Sequence, residues 1–345
     1  MIDTSQTVIH TVSAHRIIKN NGVQDLILSE APLDIDSELL KAPLLSYFIS
    51  NFNTPEFYNF VSPNEDKTNP IYSFAEQIFE RPVSFHENSA NITRHLFAVS
   101  QHPNIKAGDL YVAYFSGIII DAQPVEAVGI FKAENKETFL KLHGDRKKLR
   151  LGAEEGINVR KLDKGCLILN VEQEEGYKIL IVDNSNKSEA QYWKVDFLNL
   201  RPSVDAFHQT HNFMNLTRQY VGDQLDEEFS VTKADKIDLL NRSVNFFKSH
   251  DIFNQNEFET EVLEDASVIE SFRKYEKSLD QESGFTDSFE ISAPAVKRQV
   301  RIFKSVLKLD KNFHIYIHGN RDLIEKGFDE TKNRHFYKIY FDQET

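Results

Sequence analysis

With 345 residues and a net charge of −13, the chain is too long for one ordinary hydrophobic core, and two domains are expected, over 1–200 and 201–345. Hydrophobic residues at 40% and charged residues at 27% are the balance of a folded globular chain, while only 13 Gly and 10 Pro exclude a collagenous or low-complexity one. The 27 Phe supply ample material for burial, which argues against extended disorder. No apolar run approaches the roughly 20 residues that span a bilayer, and Met1–Gln6 opens no basic-then-apolar leader, so no membrane partner and a cytoplasmic location are expected. One cysteine, Cys166, excludes an internal disulfide and a thiolate metal cage; its strand-like surroundings predict a buried, inert thiol.

The first elements read as β: Val8, Val12, Ile17 and Ile18 among polar residues, then Leu26-Ile27-Leu28 after the Asn20-Asn21-Gly22 turn signal. From Asp36 the pattern is helical, with Leu40, Leu44, Phe48 and Phe52 at i+4 and Pro43 interrupting or starting the helix. Further helices are expected over 68–80 and 89–101. A run of strands follows, over 110–119, 125–133, 166–171, 177–184 and 191–197, with short connections that favour an antiparallel meander. Beyond Arg201-Pro202 three helices are expected (203–221, 232–249 with Thr232 as N-cap, and 257–277), then a polar loop to Ser292, a basic segment over 296–308, and strands over 313–318 and 335–341. The layout is α+β: N-terminal helices with a mostly antiparallel sheet, then a smaller helix-rich, mixed C-terminal domain.

The net charge conceals a strong asymmetry. Residues 132–150 carry seven basic against three acidic side chains, 251–290 carry three against twelve, and 291–345 carry eleven against seven. Lys141, Arg146, Lys147, Lys148 and Arg150 surround the Gly144 turn and fit a phosphate backbone, or else a solvated hairpin tip. Lys297, Arg298, Arg301, Lys304 and Lys308 form a second cluster. On a helix Lys297, Arg301, Lys304 and Lys308 make one continuous face opposite Val300, Phe303 and Leu307. That face suits DNA and would equally well pair with the acidic stretch 251–290.

Twelve histidines include His208 and His211 on one predicted helix face, but no H-E-x-x-H pattern completes a metal site. P-loop, G-x-G-x-x-G and G-x-S-x-G motifs are lacking, which leaves NTP hydrolysis, dinucleotide binding and acyl transfer without local support, and no cofactor is expected. Asp121 with Glu134 and Lys136 is the one pattern that fits a metal-dependent nuclease, although Glu-x-Lys arises easily in so charged a chain.

A series of short segments resembles one bacterial family almost end to end. In the first half these are Leu44-Leu45-Ser46-Tyr47-Phe48, Phe57-Tyr58-Asn59-Phe60, Asn69-Pro70-Ile71-Tyr72, Phe85-His86-Glu87-Asn88-Ser89 and Ser100-Gln101-His102-Pro103-Asn104-Ile105-Lys106-Ala107-Gly108-Asp109-Leu110. In the second they are Leu239-Leu240-Asn241-Arg242-Ser243-Val244-Asn245-Phe246-Phe247, Ser271-Phe272-Arg273-Lys274-Tyr275, Phe303-Lys304-Ser305-Val306-Leu307-Lys308 and Phe336-Tyr337-Lys338-Ile339-Tyr340-Phe341. Together they resemble the nucleoid-associated protein NdpA family. That resemblance implies a cytoplasmic protein of the nucleoid that binds DNA and has no enzymatic activity. It supplies no DNA-contacting side chains, so the two basic clusters stand as the candidate contacts. The expected partner is double-stranded DNA with weak sequence preference, with a homodimer as a way to reconcile localised basic patches with the acidic total. The alternatives are a protein-interaction module built on 251–290 and the nuclease.

Overall fold

The computed structural model describes residues 2–20, 23–52, 56–61, 69–100, 102, 105–145, 148–184, 192–279, 286–303, 306–310, 312–316 and 323–343. The chain divides into two compact units, Met1–Ser203 and Val204–Thr345.

In chain order the first unit contains β1 (Ile2–Asp3), β2 (Val8–Asn20), β3 (Val23–Leu28), α1 (Glu38–Ile49), β4 (Phe57–Phe60), α2 (Pro70–Glu80) and α3 (Phe85–Val99). It continues with β5 (Gly108–Ile120), β6 (Gln123–Ala133), β7 (Glu137–Gly144), β8 (Leu149–Gly156), β9 (Lys164–Leu169), β10 (Lys178–Asp183) and β11 (Leu200–Pro202). Among the described residues, nine strands form one antiparallel sheet in the order β11-β4-β10-β9-β6-β5-β2-β3, with β1 on the end of β5. The α+β class read from the sequence is the class of the structure.

Both faces of the sheet are covered, because strand side chains alternate and both sets are apolar. Leu110, Val112, Val128, Ile130, Cys166 and Ile168 point to the layer built by α2 and α3, through Ile71, Ala75, Ile78, Ile92 and Leu96. The intervening Ala113, Phe115, Ala127, Phe131, Leu167 and Leu169 point to α1, where Tyr47, Phe48 and Phe52 cover them. Phe48 stacks on Phe131 at 4.2 Å between ring centroids. Cys166 is fully buried, and burial raises its thiol pKa, so it is an inert packing residue.

Two histidines, His15 buried and His86 half-buried, join α3 to β2. His15 reaches the Ser89 hydroxyl at 2.9 Å, and His86 reaches the Ser13 hydroxyl at 2.8 Å. Burial, with the neighbouring His86 and Arg94, lowers the His15 pKa to about 4, so the ring is neutral in the fold at neutral pH.

Residues 191–197, expected as a strand, are not one. Tyr192–Phe197 form a wide helical turn that buries Tyr192, Trp193 and Phe197 and exposes Val195 and Asp196. Adjacent buried rings followed by a gap do not alternate, and a strand would turn Trp193 and Tyr192 to opposite faces.

The second unit contains α4 (Ala206–Gln219), α5 (Leu225–Glu228), α6 (Lys233–Ser249), β12 (Ile252–Asn254), α7 (Gln255–Phe258), α8 (Ala266–Leu279), β13 (Ser288–Glu290) and α9 (Ala293–Val300). It ends with β14 (Val306–Leu309), β15 (Phe313–Tyr316), β16 (Ile324–Asp329) and β17 (Arg334–Ile339). Its core is a phenylalanine cluster: Phe213 lies 4.3 Å from Phe253, which lies 4.5 Å from Phe289, with Phe247, Phe258 and Phe272 around them. Thr232 caps α6 in a capping box, its hydroxyl accepting from Asp235 N while the Asp235 carboxylate accepts from Thr232 N.

The single helix expected over 257–277 is broken. Glu264 takes φ +61°, and Asp265 restarts the helix by accepting from Ser267 N at 2.8 Å. The expected polar loop up to Ser292 contains β13, which pairs with β12; residues 280–285 lie outside the described residues.

The basic segment 296–308 is likewise not one helix. The helix α9 ends at Val300 with Arg301 as its C-cap, and Val306–Leu309 is a strand paired with β15. Lys308 therefore lies across from His314 in a hairpin, and the continuous basic face Lys297–Arg301–Lys304–Lys308 does not exist.

Candidate nucleic-acid interface

The strands β7 and β8 leave the sheet after β6 and, among the described residues, pair with each other alone, from Glu137↔Gly156 to Gly144↔Leu149. All their residues are exposed or half-exposed, so this ribbon stands in solvent on both faces. Its tip demands glycine: Gly144 has φ +130°, and a Cβ there would sit 2.1 Å from the Lys148 carbonyl oxygen. The Asp145 carboxylate accepts from Lys148 N at 3.1 Å and closes the turn.

Pairing sorts the side chains. Phe139, Lys141, His143, Arg150 and Glu154 share one face, and Leu140, Leu142, Leu149, Leu151 and Ala153 share the other. The first face is compact, because the His143 and Phe139 rings lie over Gly152 and Gly156 of the opposite strand. Lys141 pairs with Glu154 at 3.0 Å, an exposed pair that contributes little to stability. Lys141, Lys148 and Arg150 are thus brought together on the ribbon, all exposed. Arg146 and Lys147 lie outside the described residues.

The root of the ribbon is held by hydrogen bonds and buried charge. The Asp163 carboxylate accepts from Glu134 N at 2.7 Å, from Asn135 N at 3.0 Å and from Asn135 Nδ2 at 2.7 Å. Glu137, the first ribbon residue, binds Lys161 Nζ at 2.6 Å and Asn158 Nδ2 at 2.8 Å.

Behind them Lys132 and Lys164 are cross-strand neighbours, both fully buried. Two ammonium groups placed side by side need compensation. Lys132 donates to Glu134 Oε1 at 2.7 Å, to the Lys106 carbonyl at 2.7 Å and to the Tyr192 hydroxyl at 3.0 Å. Lys164 pairs with Asp183 at 2.9 Å, and its ammonium lies 5.0 Å from the centre of the Tyr192 ring. Burial lowers the Lys132 pKa and Glu134 opposes that shift. Sequence reading missed this cluster, although strand alternation places Lys132 with Ile130 and Lys164 with Cys166.

The second basic cluster is divided. Lys297 and Arg298 occupy the exposed last turn of α9, where positive charge also suits the helix dipole, and Arg301 caps that helix. On its other side Gln299 is buried and its amide reaches the His211 ring at 2.9 Å. Lys304 lies outside the described residues, and of Lys308 only the backbone is described. The acidic stretch is engaged within the second unit: Glu259 pairs with Arg273 at 2.5 Å and Glu270 with Lys274 at 2.8 Å inside the stretch, and Glu264 pairs with Arg242 of α6 at 2.7 Å.

The nuclease pattern does not assemble. Asp121 lies in the β5–β6 turn, while Glu134 and Lys136 follow the far end of β6, and eleven strand residues separate those ends by roughly 35 Å. Glu134 is taken by Lys132, and Lys136 lies 3.3 Å from Asp109. Among the described residues no group of three or more His, Cys, Asp or Glu is placed to hold a metal ion. No described helix is long and apolar enough to cross a membrane.

Comparison with known families assigns the chain to a class of nucleoid-associated proteins. The chain belongs to the family of the nucleoid-associated protein YejK, whose model matches residues 9–334. It is accordingly a nucleoid-associated protein. No curated protein sequence matches it.

Proposed function

We propose that the chain is a non-enzymatic protein that binds double-stranded DNA with weak sequence preference, and that the β7–β8 ribbon is its principal contact. The observation that carries this reading is the ribbon's exposure on both faces together with Lys141, Lys148 and Arg150 on it. A two-stranded ribbon fits the major groove, and ammonium and guanidinium groups along its edge neutralise phosphates without reading bases. Arg146 and Lys147 extend the cluster in the sequence. Lys297, Arg298 and Arg301 on α9, with Lys304 and Lys308 after it, are a secondary contact. Localised charge of this kind lets an acidic chain bind DNA, because affinity follows the phosphates contacted and not the net charge.

Titrating a fluorescein-labelled duplex with protein at 50, 100 and 200 mM salt, without divalent metal, tests the proposal through anisotropy. Three to five ribbon cations on phosphate give a slope of log K against log salt of about −3 to −5. A slope near zero, or no binding at 50 mM salt, would contradict it.

A further inference from the structure

A cavity of about 350 Å³ opens between the start of β2 and the first turns of α1, lined by Thr7, Val8, Ile9, Lys41, Ala42 and Leu45. It lies at the end of β5 away from the ribbon: Val8 pairs with Ser116, whereas Asp109 pairs with Ala133 beside the ribbon's root. Its floor is apolar, because Ile9 belongs to the core layer under α1 and Leu45 packs on that layer. Alternation turns Thr7 the same way as Ile9, and Thr7 is only 6% exposed. Lys41 stands four residues before Leu45, on the same face of α1. Two polar groups of this cavity are unused. The Thr7 hydroxyl is buried without a hydrogen-bond partner, and Lys41 makes no side-chain hydrogen bond or ion pair among the described residues. A buried hydroxyl without a partner is a standing cost that a ligand can remove.

We infer that the cavity binds a small amphiphilic monoanion, a carboxylate on a short alkyl chain, with its head at Lys41 and Thr7 and its chain over Ile9 and Leu45. Charge and polarity select this class. One unpaired ammonium at an apolar cavity calls for a single negative charge, and a threonine hydroxyl can donate to the same carboxylate. The remaining side chains of the wall, Val8, Ile9, Ala42 and Leu45, offer no hydrogen bond, so a sugar or a nucleotide base would enter with its polar groups unsatisfied. An alkyl chain has none to satisfy. The volume is at the low end for small-molecule sites, which suits a short chain better than a long one. The site uses no residue of the ribbon, so it stands or falls apart from the DNA reading.

Equilibrium dialysis of the full chain against radiolabelled decanoate, without DNA, tests this. Saturable binding with a Kd of about 0.1 mM is expected. Decanol, which has the same chain and no charge, should compete at least about tenfold more weakly. Lys41→Gln should erase that preference. Thr7→Val should weaken decanoate binding about fivefold without lowering the thermal midpoint, because the hydroxyl makes no hydrogen bond in the free chain. Ala42→Trp, at an exposed position on the cavity wall, should block binding by filling the space. The inference is overturned by the lack of saturable binding up to about 2 mM decanoate, or by equal competition from decanol. It is equally overturned if Lys41→Gln keeps the preference, or if Thr7→Val or Ala42→Trp binds like the wild type. If DNA binding fails while decanoate binds as expected, only the proposed function is lost.

Discussion

Replacing Glu134 with alanine is expected to destabilise the first unit by about 3–5 kcal/mol, the largest effect on stability that a single substitution near the ribbon should produce. The reason is the charge left behind. Lys132 and Glu134 are both essentially removed from water, with side chains 0% and 2% exposed, and Lys164 brings a second buried ammonium next to Lys132. Without Glu134 the described hydrogen bonds of the Lys132 ammonium go to neutral groups, the Lys106 carbonyl and the Tyr192 hydroxyl, and the Asp163 carboxylate acts on it without a hydrogen bond. Urea unfolding followed by Trp193 fluorescence reads the first unit alone, because Trp193 is the one tryptophan and is buried there. The double variant Lys132→Met/Glu134→Met should recover most of the loss, since an apolar pair of similar size leaves no stranded charge. A loss below about 1 kcal/mol for Glu134→Ala would show that the pair is not isolated from water.

The second large effect is on DNA. Lys148→Glu/Arg150→Glu should weaken duplex binding at least about tenfold at 0.1 M salt and reduce the salt slope by about 2, one for each phosphate no longer neutralised. Both side chains are exposed and the turn is closed by the Lys148 backbone, so the thermal midpoint should not move. The matching reversal Lys297→Glu/Arg298→Glu on α9 should have the smaller effect. If it proves the larger, the second unit carries the principal contact. Anisotropy titrations of both variants beside the wild type decide the order.

Much of the sheet was legible because its strands are long and bounded by turn signals. The strands β5 and β6 fall within three residues of the expected ends, and Thr232 is the expected N-cap of α6, to which the structure adds the reciprocal bond from Asp235. The misreading of 296–308 has an equally local cause. Phe303 and Leu307 are both buried, and a spacing of four returns to the same face of a helix and of a strand alike. The sequence alone does not separate the two periods there. At 191–197 the expected strand gives way to a helical turn, because the adjacent burial of Tyr192 and Trp193 follows from packing on α3 and β9 that no local pattern encodes.

The candidate interface was half visible. Its basic residues stood out in the composition, and Leu140/Leu142 and Leu149/Leu151 carry the period-two spacing of a hairpin. What the sequence could not supply is that these leucines cover no core, because exposure is a property of the whole fold. The buried lysines were hidden for the converse reason: charge is ordinarily assigned to solvent, and only the sheet neighbours explain why Lys132 and Lys164 are not there.

The ribbon's role as the DNA contact is tested most directly by amide hydrogen exchange of the full chain with and without a saturating duplex. Peptides covering Glu137–Gly156 should exchange markedly more slowly in the complex, with a smaller change over Ala293–Phe303 and none over α2 and α3. Unchanged exchange across the ribbon while the duplex is demonstrably bound would contradict the account.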